Sequence, residues 1–388
     1  MKRDSSNPKI LVATILSMSL LTVMAGAAVA PALNAISAHF ADTNPLLIQF
    51  EVRMPALFIN LTNLCFPMLC RVMRTRTIAL CGLLLYVVAG SGAFFADNIA
   101  VLLVLRALLG VSVGMIMPLS TGLLAYYFPP EEQARLMGLA AAMNQMGGVV
   151  ATFLAGMLAA VSWNYAFLVY LLGLIAVVLV MLFLPNERLS NKGGISLSLL
   201  KKFHPSVVGM FLVMILFFIY PTNFAVVANQ QLGLRTELIT IIMAGLDVVA
   251  FFVGMVFGGV MNRFRQSVKY FAPVFFLMGY AAYLTPSVAM LVLGSVFVGI
   301  ANGVGVPYLN TIASIKGGKN SATTVMPLLS AALYLGQFVS PIVVTPASRI
   351  LFGQADLTGP YKVGIVLCLI FLVQVYFTRH FQSLPPNK

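Results

Sequence analysis

Four ionisable residues lie where the sequence is otherwise apolar: Glu51, Arg53, Arg106 and Asp247. A charged group at the centre of a membrane helix costs roughly 2.5–3.5 kcal/mol on insertion scales, so such residues are rare and mark ion or substrate pathways. Asp247 has the barest setting, IIMAGLDVVAFF, with nothing polar beside it. A carboxyl group placed there takes up and releases a proton as counter-charges approach and leave. Glu51 and Arg53 are two residues apart, so on a helix they point to different sides and each needs a partner from elsewhere. Glu51 also lies near enough to a span end to reach the interface. Arg106 sits in LRALLG. Two acids and two bases balance, so charge by itself does not choose a cationic over an anionic substrate.

These residues are expected on transmembrane helices. The chain has 388 residues, 60% hydrophobic and 9% charged, against roughly 25% charged in soluble proteins. Twelve apolar stretches are long enough, or nearly so, to cross a bilayer: about 10–36, 46–69, 77–96, 99–127, 136–159, 164–184, 206–228, 237–260, 269–285, 287–313, 322–346 and 360–379. Continuous runs such as LVYLLGLIAVVLVMLFLP exclude the alternating pattern of a barrel strand. The basic N-terminus and AGAAVAPA resemble a signal peptide, but eleven spans follow, and the reading is an uncleaved first helix.

Placing the N-terminus inside puts 18 of the 23 Lys and Arg residues in inner segments. That asymmetry predicts both termini in the cytoplasm of a multi-pass protein of the cytoplasmic (inner) membrane. It also accounts for the net charge of +13 without nucleic acid as a partner, because basic inner loops sit against anionic lipid. Cys65, Cys70, Cys81 and Cys368 form no C-x-x-C and have no histidine at ligand spacing, so no metal is expected. No phosphate-binding loop or nucleophile elbow is present, and no cofactor or enzymatic activity is expected.

The organisation is duplicated. GVSVGMIMP at Gly110, Gly114 and Pro118 returns 189 residues later as GIANGVGVP at Gly299, Gly303 and Pro307. Positions i, i+4 and i+8 share one helix face, where glycines admit a neighbour and proline removes a backbone bond. Gly110 lies in span four and Gly299 in span ten, so the signal recurs in the same direction through the membrane, as in a parallel repeat. The polar stretch Asn186 to Ser206 divides the spans six and six. The expected domains are 1–185, a cytoplasmic linker at 186–205, and 206–388: an all-α integral membrane protein of two pseudo-symmetric six-helix bundles.

With those features in place, the whole chain resembles the major facilitator superfamily, most of all its twelve-span drug:proton antiporter branch. The loop signature G-x-x-x-D-R-x-G-[RK]-[RK] of that family is echoed at Gly258, Asn262 and Arg263. Its first copy is degraded, with Phe66 and Cys70 in the glycine and aspartate places before Arg71, Arg74 and Arg76. The resemblance implies that these loops latch one conformation, and that Arg106 matches a span-four arginine linked to proton transfer. Span five carries Asn144-Gln145-Met146-Gly147-Gly148 without the proline usual in exporters, and span eleven carries the looser GQFVSP, Gly336 to Pro341.

The resemblance further implies a central cavity lined by polar residues that include Arg53, Asn144, Gln145, Tyr220, Asn223, Asn302, Tyr334 and Gln337. Pro221 is expected to break span seven beside Asn223. The same polar residues are also what joins membrane helices together. The expected function is secondary transport by alternating access: proton-coupled efflux of small amphipathic compounds, with Asp247, Arg106 and Glu51 in the coupling. An uptake porter or uniporter for one metabolite is the alternative, and a channel, receptor or membrane-embedded enzyme fits less well. The expected partners are a small-molecule substrate, protons and lipid, with a monomer implied by the resemblance.

Overall fold

The computed structural model describes residues 8–40, 45–189, 197–318 and 321–378, apart from the side chains at 30, 34, 37, 45–53, 197 and 321. Among these residues every regular element is helical: α1 Pro8–Ala27, α2 Leu33–His39, α3 Pro45–Val72, α4 Thr75–Gly92, α5 Ile99–Tyr127, α6 Pro130–Ala159, α7 Gly173–Phe183, α8 Leu197–Leu232, α9 Thr236–Phe264, α10 Phe271–Ala282, α11 Val288–Gly317, α12 Ser321–Phe352 and α13 Gly359–Phe377. Tight 3-10 turns at Trp163–Leu172 and Arg265–Tyr270 lead into α7 and α10. Among the described residues, eleven stretches are long and apolar enough to cross a membrane. One of them, Thr236–Ala282, runs 47 residues through α9 and α10, twice the roughly 20 a crossing needs, so it holds two of the twelve spans.

The first span is shorter than the hydropathy predicts. α1 stops at Ala27, ahead of Pro31, whose missing N–H cannot continue the ladder. Span seven corrects in the other direction. α8 runs unbroken through Pro205 and Pro221, with no break at the latter. The termini and the side chains of Glu51 and Arg53 lie outside the described residues.

The chain forms two compact units. One comprises Met1–Pro130, Met143–Leu199 and Lys316–Ala331; the other comprises Glu131–Ala142, Leu200–Ile315 and Ala332–Lys388. In the first, the buried Thr75 donates to the Pro185 carbonyl at 2.8 Å and Arg76 to the Leu184 carbonyl at 2.7 Å, tying the start of α4 to the chain leaving α7. In the second, Asp356 accepts from the Thr358 hydroxyl and amide and from Lys362 at 2.7 Å. These bonds, the lysine's first, hold its carboxyl below the usual carboxylate range and fix the entry to α13.

Candidate transport and coupling sites

The repeated glycines do the same work twice. A Cβ on Gly110 would lie 2.5 Å from the Pro55 carbonyl oxygen, and one on Gly114 2.6 Å from Thr62 Cβ, so α5 meets α3 backbone to backbone. On α11, Gly299 and Gly303 stand in the same relation to the Leu246 and Ala250 carbonyls of α9, each at 2.8 Å. Pro118 and Pro307 follow inside helices that continue past them. This contact sets α9 against α11 and so positions Asp247, which is half-buried midway along α9.

Arg106 is enclosed. It is 2% exposed, donates to the Tyr170 hydroxyl at 2.9 Å and to the Ala25 carbonyl at 3.4 Å, and lies 4.9 Å from the Phe167 ring centroid. Tyr170 donates to the same carbonyl at 2.8 Å. Ala25 is in the last turn of α1, where carbonyls lack helical partners and the helix dipole favours positive charge. The guanidinium therefore caps a helix end and joins α1, α5 and the segment before α7.

The second unit builds its own polar node. Ser295 of α11 bonds the Tyr283 hydroxyl at 3.1 Å, the Tyr220 hydroxyl at 3.1 Å and the Leu291 carbonyl at 2.8 Å. The Tyr220 and Phe224 rings meet at a tilt with centroids 4.5 Å apart, and the Tyr283 ring lies 4.7 Å from that of Tyr361. All these side chains are buried.

The remaining cavity candidates divide. Asn144 accepts from Thr22 at 2.9 Å, gluing α6 to α1 beside Gly147, whose missing side chain admits the Leu20 carbonyl of α1. GQFVSP plays that part on α12: Gly336 admits the Phe211 carbonyl, and Ser340 donates to the Ile215 carbonyl at 2.8 Å. Asn223 is turned onto its own helix, donating to Ile219 at 2.8 Å. Gln145 and Gln337 are half-buried and Tyr334 is buried. Asn302 is buried with its carbonyl oxygen unpartnered among the described residues.

The loop motif has a partner surface. Gly258 packs on Arg135 of α6, where a Cβ would meet Arg135 Cβ at 2.9 Å, and Asn262 borders a groove of about 240 Å³ with Glu131 and Glu132. Arg263, Arg71 and Arg74 are exposed, whereas Phe66 and Cys70 are buried. Gly138 and Gly254 mark the crossing of α6 and α9, a Cβ on Gly138 falling 2.5 Å from the Gly254 carbonyl oxygen.

The sequence reading missed the tyrosines. Tyr170-x-x-Gly173 recurs as Tyr361-x-x-Gly364, and Tyr86 and Tyr280 pack on those glycines. The repeated Y-x-x-G was legible, but an aromatic in an apolar run carries no signal until its hydroxyl has a partner.

Comparison with known proteins agrees with this architecture. Residues 15–341 match the sequence model of the Major Facilitator Superfamily. Quinolone resistance protein NorA of Staphylococcus aureus, from strains MRSA252 and Mu50, is 25% identical over 294 residues, 67% of this chain and 74% of the relative. Among solved structures, the human organic anion transporter MFSD10 (TETRAN) superposes with a TM-score of 0.78 at 16% identity, covering 96% of this chain and 100% of that one. A double tryptophan mutant of XylE superposes at 0.80 with 13% identity, covering 98% of each chain.

Proposed function

Because this chain belongs to the Major Facilitator Superfamily and is therefore a membrane transporter rather than an enzyme, we propose that it is a proton-coupled exporter of small amphipathic compounds. It works by alternating access, as a monomer in the cytoplasmic (inner) membrane with both termini in the cytoplasm. Asp247 carries the reading. A carboxyl group in mid-span is stable as an ion only while something compensates its charge, which suits a group that gains and loses a proton in each cycle. The S. aureus relatives named for quinolone resistance support export of drug-like compounds.

In this reading Asp247 exchanges the proton, with Arg106 and Glu51 contributing charge. Arg53, Asn144, Gln145, Tyr220, Asn223, Asn302, Tyr334 and Gln337 face substrate in at least one conformation. The glycine-proline helices and the loop residues Arg71, Arg74, Gly258, Asn262 and Arg263 serve the conformational change between the two six-helix bundles.

The test is ethidium accumulation in efflux-deficient bacteria making the protein, with and without a protonophore. Lower accumulation that the protonophore abolishes, and that Asp247→Asn abolishes at normal membrane levels of protein, is the expected result. No change in accumulation with the protein present points instead to a narrow metabolite carrier. Protonophore-sensitive efflux that survives Asp247→Asn removes Asp247 from the coupling.

A further inference from the structure

The C-terminal half of α8 has two unlike faces. Tyr220, Phe224 and Val227, at i, i+4 and i+7, are buried. Thr222, Ala225 and Asn229 recur at i, i+3 and i+7 about half a turn away, and all three are exposed. Pro221 is exposed as well, and Asn223 is half-buried at the edge. Hydrocarbon leaves polar side chains uncompensated, so this open face belongs to a side of the helix that meets water or substrate.

Thr222, Asn223 and Asn229 each turn a donor back onto the backbone. Thr222 donates to the Phe218 carbonyl at 2.7 Å, Asn223 to the Ile219 carbonyl at 2.8 Å and Asn229 to the Leu234 carbonyl at 3.2 Å. Pro221, inside the helix, has no N–H to give the Phe217 carbonyl. A threonine hydroxyl carries one proton and an asparagine amide two, so what remains for a ligand is uneven. Around Asn223, the oxygens of Phe217, Thr222 and Asn223 can accept, and one Asn223 N–H is left to donate. Phe217 and Phe218 stand beside them, half-buried and edge to face, with ring centroids 5.3 Å apart.

Resting on the reading of this chain as an exporter of amphipathic compounds, we propose that the open face of α8 reads hydrogen-bond donors on the substrate, with Asn223 as a specificity-determining residue that selects aromatic cations carrying N–H groups. Carbonyl and hydroxyl oxygens take such a proton directly. A carboxylate or phosphate brought to the same face meets three oxygens and one N–H, so most of its lone pairs go unserved. Aromatic rings attract a cation but need no proton from it, so Phe217 and Phe218 alone would hold a donor-free cation equally well. The oxygens make the difference, because an analogue without N–H groups leaves them unpaired once water is displaced.

The experiment compares energy-dependent efflux of two matched dyes from efflux-deficient bacteria making the full chain. One is the diamino-N-methylacridinium cation, which carries N–H groups. The other is its bis(dimethylamino) analogue, with the same ring and charge and no N–H. Rates are taken against cells lacking the protein and normalised to its level in the membrane. The wild type should prefer the diamino dye by about fivefold, the worth of one hydrogen bond. Asn223→Leu, which keeps the size but not the amide, should bring that ratio to about one. Thr222→Val, which keeps the shape but not the hydroxyl, should lower it by a smaller factor, and it stands in where the first variant fails to reach the membrane. Equal or faster efflux of the methylated dye by the wild type, or a preference that survives the substitutions, overturns donor reading by α8 and leaves export in place. Efflux of neither dye overturns the export reading, and this inference with it.

Discussion

At the scale of single residues, Arg106 and Asp247, the two membrane-embedded charges whose side chains are described, lie in different situations. Arg106 is held by a helix-end carbonyl, a tyrosine hydroxyl and an aromatic face, so much of its charge is answered locally. Its loss should be felt in stability before function. Arg106→Ala leaves a cavity and removes a donor from the end of α1, for an expected loss of about 2–4 kcal/mol, seen as a lower melting temperature in detergent. Arg106→Lys keeps the charge but not the planar fork, and should fall between. A stable Arg106→Ala protein that no longer transports would instead give the arginine a purely functional part. Asp247 lies half-buried midway along α9, the helix that α11 meets through Gly299 and Gly303.

Among the helices, close approach is the recurring device. Four glycines on α5 and α11 meet backbone oxygens or a branched side chain of α3 and α9 at distances no Cβ tolerates. Gly110→Ala and Gly299→Ala should each destabilise by about 1–3 kcal/mol through overpacking, and by similar amounts, because the repeat gives them equivalent partners. Gly245 is the control: it is also inside α9, but a Cβ there meets nothing within 4 Å. Gly245→Ala should be neutral or stabilising by up to about 1 kcal/mol, from helix propensity alone. Equal losses at all three positions, measured by thermal unfolding of the purified proteins, would remove the packing explanation.

For the whole molecule, the compact units do not coincide with the two sequence repeats. Glu131–Ala142 of α6 groups with the second repeat and the first segment of α12 with the first. Gly138 and Gly254 are the crossing at which α6 joins α9. A rocking cycle must make and break such a contact. Gly138→Leu, whose side chain would collide with the Gly254 carbonyl and Phe257, should stop it forming. In a cysteine-free background, a cysteine at Asn262 should then react with a water-soluble maleimide severalfold faster, and transport should fall. Unchanged labelling and unchanged transport would place this crossing outside the cycle.

Much of this was open to the sequence alone, for a physical reason. Hydrocarbon admits few solutions for a polar backbone, so hydropathy dictates helices, their number and their membrane setting. The duplicated G-x-x-x-G-x-x-x-P encodes close packing in the residue types themselves, because only a missing side chain permits it. The embedded Asp247 and Arg106 stand out because such charges are rare. What the sequence could not decide was which polar groups meet. Whether Arg106 faces a cavity or caps α1, whether Asn144 awaits substrate or bonds Thr22, and that Ser295 and three tyrosines form one node all depend on side chains tens to more than a hundred residues apart. Those distances are set by how helices turn and cross, and no local pattern carries them. The break expected at Pro221 failed on the same ground: a proline removes one hydrogen bond, and the surrounding packing decides whether the helix continues.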